Sequence, residues 1–96
     1  MKNKDKAEEV LIKLFGSTSR AGILTLFFEK IGRSFYQREI VFETGLSLQA
    51  VQRELSNLVE LGILKKRETS AKVYYQVNPD SPFFKPLMKI CELAHG

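Results

Sequence analysis

Between residues 7 and 15, Val10, Leu11, Leu14 and Phe15 recur at the intervals that gather one face of an α-helix. Asp5, Glu8 and Glu9 stand at its start, where the helix dipole favours negative charge. Gly16 interrupts the pattern, and Ser17 or Thr18 supplies an N-cap for a second helix. Ile23, Leu24, Leu26, Phe27 and Phe28 carry that helix to about Lys30, before Gly32. So much of its circumference is apolar that it must be covered on more than one side, which points to a central position or to a subunit contact as well as a core. Residues 34–36 read as a short strand.

The next stretch, QREIVFETG, gives a brief helix through Ile40 and Val41 that Gly45 can end in the left-handed conformation. Leu46 turns inward, and Ser47 caps a longer helix, SLQAVQRELSNLVELG. There Leu48, Val51, Leu55, Leu58 and Val59 form the apolar stripe, and Gly62 ends the run. A short helix, a tight glycine turn and a longer helix over about residues 36–61 have the spacing of a helix-turn-helix.

After Gly62 the pattern becomes that of strands. Residues 63–67 and 72–77, rich in β-favouring Val and Tyr, predict a hairpin with a polar tip over about 63–78. Lys65, Lys66, Arg67 and Lys72 make its edge basic. Tyr74 and Tyr75 alternate, so one packs inward and the other faces out, without the sequence saying which. Asn78, Pro79, Asp80, Ser81 and Pro82 break the chain. A last helix over about 83–94 carries Leu87, Met88, Ile90, Cys91 and Leu93. The expected fold is mainly α with a small β-hairpin, a winged helix-turn-helix with additional terminal helices at about 6–15 and 83–94.

Composition narrows the function. With 96 residues, 44% of them hydrophobic and 27% charged, the chain has material for one packed domain. Lys and Arg number 15 against 11 Asp and Glu, and the resulting +4 permits nucleic acid as a partner without demanding it. A single cysteine excludes an internal disulfide and a four-cysteine zinc cage, and a lone histidine leaves most acid–base and nucleophilic schemes without parts. No apolar run reaches the roughly 18–20 residues of a membrane span, and residues 1–6 are polar. A cytoplasmic, non-enzymatic protein without cofactor is expected.

From about residue 14 to 93 the chain resembles the ArsR-like winged-helix regulators of prokaryotes, including small versions associated with nucleotidyltransferase domains. The matching segments are LFGSTSRAGILTLF, FYQREIVFETGLSLQAVQRELSNLVELGILKKRE and VYYQVNPDSPFFKPLMKI, the middle one being the most specific. The resemblance implies that residues 47–61 enter the major groove, that the wing touches backbone or minor groove, and that the terminal helices pair two subunits. The cysteine-rich metal box of that family, on the helix before the reading helix, has no counterpart, because residues 35–44 contain no cysteine.

With Val51, Leu55 and Leu58 turned inward, about 100° per residue points Gln49, Arg53, Ser56 and Glu60 outward, with Ala50, Gln52 and Asn57 on the flanks. Gln pairs bidentately with adenine and Arg with guanine, so Gln49, Gln52 and Arg53 are the expected base readers. Ala50 and Ser56 are placed against a thymine methyl or a phosphate. A solvated helix face is the plainer reading of the same residues; the glycine-turn context favours readout. Phosphate contacts are expected at Ser47 on the helix N-terminus, at Gln37 and Arg38, at Asn57, and at Lys65, Lys66, Arg67 and Lys72. Capping alone would also explain Ser47, and basic edge strands also discourage aggregation.

Cys91 and His95 share a helix face, but two ligands are few, and a buried thiol beside a chain-end histidine accounts for both; no metal is expected. Leu11, Leu14, Phe15, Leu87, Ile90 and Leu93 are assigned to a homodimer interface, since a domain this small is marginal alone and two-fold half-sites about 34 Å apart reward symmetry. The reading is a sequence-specific double-stranded DNA-binding transcriptional regulator, a dimeric repressor. Its rival is a winged-helix module that docks a protein partner such as a nucleotidyltransferase, for which Glu54 and Glu60 on the reading helix speak.

Overall fold

The computed structural model describes residues 3–96, with side chains from residue 6 onward. Residues 1 and 2, and the side chain of the expected helix-start residue Asp5, lie outside the described residues. Five helices and three strands follow the order α1 (Asn3–Phe15), α2 (Thr18–Glu29), β1 (Phe35–Tyr36), α3 (Gln37–Thr44), α4 (Leu48–Glu60), β2 (Leu64–Glu68), β3 (Val73–Val77) and α5 (Phe84–His95). This is the mainly helical winged helix-turn-helix layout that the pattern predicts. α1 begins at Asn3, before the expected start at about residue 6.

α2 is the hub. Its residues from Ala21 to Phe28 are all buried, and α1, α3, α4, α5 and β3 pack around it. The Ser17 hydroxyl caps it, accepting from the Arg20 amide at 3.0 Å. Phe27 meets Phe35 edge-on with ring centroids 5.2 Å apart, which ties β1 to the hub.

The strands form one antiparallel sheet in the order β1-β3-β2. Phe35 lies opposite Tyr75 and Tyr36 opposite Tyr74, while Lys65, Lys66 and Arg67 lie opposite Gln76, Tyr75 and Tyr74. At the hairpin tip the Thr69 hydroxyl accepts from the amides of Ala71 and Lys72, closing the turn locally. At its base the Asn78 side chain donates to the Gly62 carbonyl at 3.0 Å and the Asn78 amide to that of Ile63 at 2.9 Å. The wing is thereby fastened to the end of α4.

Four expected positions differ. Leu11 and Leu87, assigned to a dimer interface, lie in the subunit's own core, because α1 and α5 pack on each other and on α2. Leu48, assigned to the buried stripe of α4, is 50% exposed, because it lines an open groove beside the start of α3 and the wing. Glu54 takes a place on that stripe instead, at 5% exposure. Among the described residues no helix is long and apolar enough to cross a membrane.

Candidate nucleic-acid interface

The helix pair is set by local chemistry at each end. The Tyr36 amide donates to Glu39 Oε1 at 3.1 Å, which fixes the start of α3, and Arg33 stands 3.6 Å from the other Glu39 oxygen. α3 stops at Gly45, whose φ of 73° is the left-handed region, and its amide donates to the Val41 carbonyl. Two residues later the Ser47 hydroxyl accepts from the Ala50 amide at 3.1 Å and starts α4. At the far end Gly62, with φ 77°, and Ile63 donate to Val59 and Leu58, the paired bonds of a Schellman motif.

The rotation of α4 is locked from below. Val51, Leu55 and Leu58 are buried, and Glu54 beside them receives Arg20 of α2 on both oxygens, Nε at 2.7 Å and an Nη at 3.4 Å. Glu54 in turn holds the Arg20 guanidinium even more firmly protonated than usual, mainly through that hydrogen bond. This leaves Gln49, Gln52, Arg53 and Ser56 exposed along the opposite face, with Ala50 and Asn57 half-buried at its margins. Of the two acidic residues compatible with the protein-docking alternative, Glu54 is turned inward and neutralised, and Glu60 alone is exposed, at the end of the helix away from Ser47.

The two helices also meet through predicted site residues. Gln52 Nε2 donates to Gln37 Oε1 at 3.3 Å, so a base-reading candidate and a phosphate candidate are neighbours. Arg38 is exposed on the next position of α3. Between the α3 start, Leu48 and the wing residues Lys72 and Tyr75 lies an open groove of ≈ 620 Å³.

Lys65, Lys66 and Arg67 share the edge strand β2 but not one face of the sheet. Cross-strand partners lie on one face of a sheet, so Lys65 and Arg67 go with Gln76 and Tyr74, whereas Lys66 goes with Tyr75. Tyr75 is the inward tyrosine, buried, with its hydroxyl pKa raised mainly by burial. Tyr74 is outward and meets Tyr36 edge-on at 6.1 Å. Arg67 stacks over Tyr74 at 5.1 Å and Lys72 Nζ over Tyr36 at 3.7 Å, so two cations are held in place by aromatic rings. Lys66 sits 3.8 Å from Glu68, a solvent-exposed pair of little strength. Tyr36 was not among the expected site residues. Its role depends on pairing with Tyr74, far along the chain, which no local pattern carries.

The terminal residues separate into two groups. Leu14 and Leu93 are 63% and 67% exposed, and Phe15 and Ile90 are half-buried, unlike the core residues Leu11 and Leu87. Cys91 is buried, and burial pushes its thiol up to about 11, with Glu29 adding to the effect. His95 Nδ1 is 2.8 Å from the Cys91 carbonyl and Nε2 is 3.4 Å from Glu29. The carbonyl bond is the main reason its pKa is raised, Glu29 adding and desolvation opposing. Among the described residues no cluster of three or more His, Cys, Asp or Glu could hold a metal ion.

A family model for Firmicute plasmid replication protein (RepL) matches residues 34–86, the stretch that holds β1, α3, α4, the wing and the first turn of α5. That family is a winged-helix-like, DNA-binding one. Comparison with curated proteins and with solved structures found no match.

Proposed function

The chain belongs to the RepL family of Firmicute plasmid replication proteins, and on that premise we propose that it is a sequence-specific, double-stranded DNA-binding protein of plasmid replication or its regulation. The observation that carries the reading is the exposed face of α4, on which Gln49, Gln52, Arg53 and Ser56 project while Arg20 removes Glu54 from it. Gln49 and Gln52 read adenine edges and Arg53 a guanine edge in the major groove, with Ala50 and Ser56 against thymine methyls. Ser47 and Asn57 at the margins of the face, Gln37 and Arg38 on α3, and the wing cations Lys65, Arg67 and Lys72 hold phosphates and set the register. Lys66, on the other face of the wing, contributes less.

The protein acts by binding, in the cytoplasm, and performs no reaction of its own. Like the ArsR-like regulators it resembles, it represses by occupying its site as a dimer. Leu14, Phe15, Ile90 and Leu93 supply the seam, their exposed apolar surface being what a second copy would cover. The rival reading, a protein-docking module, loses Glu54 as support.

The test is a binding selection from random duplexes followed by two variants. Arg53→Ala costs about 1–3 kcal/mol on the selected site and relaxes preference at one base pair. Lys65→Ala weakens all duplexes alike and lowers the salt slope by about one. Identical behaviour of the two variants on every duplex would overturn the division between readers and phosphate clamps.

A further inference from the structure

Tyr36 stands where the wing and the helix pair meet. It ends β1 opposite Tyr74 of β3, and its amide starts α3 through the bond to Glu39. Three ring contacts centre on these two tyrosines. Their rings meet edge-on at 6.1 Å, Lys72 Nζ lies 3.7 Å from the centre of the Tyr36 ring, and the Arg67 guanidinium lies 5.1 Å from that of Tyr74.

Both tyrosines are half-buried while Lys72 and Arg67 are exposed, so each ring is seated in the protein and each cation keeps a side open to solvent. Among the described residues neither cation forms an ion pair. An aromatic face attracts an ammonium without cancelling its charge, which leaves Lys72 available to an anion.

Placement matters as much as charge. The Lys72 backbone closes the hairpin tip against Thr69, its amide donating to the Thr69 hydroxyl at 3.0 Å, and the Tyr36 ring holds the other end of the side chain. A long side chain held before binding has less rotamer freedom left to lose when it grips a phosphate. That ring belongs to the residue directly before Gln37 and Arg38, and Lys72 lines the same groove as those two.

We propose that Tyr36 is a positioning residue of the DNA interface: its ring fixes Lys72 beside Gln37 and Arg38, so that wing and α3 hold one stretch of phosphate backbone as a single clamp. The inference rests on the DNA reading and adds to it a residue that acts through its neighbour. The ring carries the effect, and the hydroxyl does not.

The test is a double-variant cycle on the full chain, with binding to a duplex recovered from the random selection measured across a salt series. Tyr36→Leu keeps the amide bond that starts α3 and weakens binding about two- to fivefold, the size of a cation–π contact at an exposed site. Its salt slope is unchanged, because Lys72 still reaches phosphate, whereas Lys72→Ala lowers the slope by about one. In the Lys72→Ala chain, Tyr36→Leu costs nothing further. Tyr36→Phe keeps the ring and binds like the wild type. In the free protein, NMR finds the Lys72 ε-methylene protons shifted upfield by the ring in the wild type and in Tyr36→Phe, and not in Tyr36→Leu. Equal losses from Tyr36→Leu with and without Lys72, a Tyr36→Phe chain as weak as Tyr36→Leu, or unshifted Lys72 protons in the wild type would each overturn the role of Tyr36 while leaving DNA binding in place. A wild type that binds no duplex would overturn the DNA reading and this inference with it.

Discussion

At Glu54 a single carboxylate decides how α4 is presented. Left free on α4 it would repel phosphate; turned under the helix and bonded by Arg20, it anchors the rotation that exposes Gln49 and Arg53. Removing the partner leaves a charge with 5% exposure and nothing to neutralise it. Arg20→Met therefore costs about 2 kcal/mol in urea unfolding, below the roughly 3–5 kcal/mol of fully enclosed pairs because Arg20 is open to solvent on one side. Adding Glu54→Leu to that variant recovers most of the loss, since an apolar pair of similar size removes the desolvated charge. A double variant as unstable as the single one would show that the pair matters for something other than charge neutralisation. The apolar stripe expected from the sequence did not include Glu54, because a carboxylate is buried only with a partner, and that partner, 34 positions away, was not visible there.

Among the elements, the turn between α3 and α4 was the most legible, because it is written in local chemistry: a glycine that must be left-handed, then a serine that must cap. Gly45 at φ 73° has open space around a would-be β-carbon, so substitution there is penalised by the backbone alone. Gly45→Ala lowers stability by about 1 kcal/mol and Gly45→Asn by less, as asparagine tolerates the left-handed region better. Equal losses in thermal unfolding would mean that something other than φ governs the position. The wing was legible as two strands with a polar tip, but not in its faces. Which of Tyr74 and Tyr75 turns inward, and that Lys66 parts company with Lys65 and Arg67, follow from register with β1 and β2. Leu48 illustrates the opposite failure: helical spacing assigned it to the core, yet it lines the open groove between α3 and the wing.

Across the whole molecule, two candidate surfaces lie on different elements. One carries the polar face of α4, the start of α3 and the ring-held cations of the wing; the other, on α1 and α5, carries exposed Leu14 and Leu93. Leu11, Leu14 and Phe15 of the first helix and Leu87, Ile90 and Leu93 of the last were expected at a partner subunit. Instead the helices divide them, Leu11 and Leu87 completing the core and Leu14 and Leu93 remaining outside, because each helix packs on α2 with only part of its circumference. The family match covers the interface elements, residues 34–86, and leaves out α1 and most of α5. The central claim, that the α4 face meets duplex DNA, is tested most directly by amide hydrogen exchange with and without a duplex recovered from the random selection. The account predicts slowed exchange over residues 47–56, the α3 start and the wing. Protection confined to α1 and α5, with α4 and the wing unchanged, would contradict it.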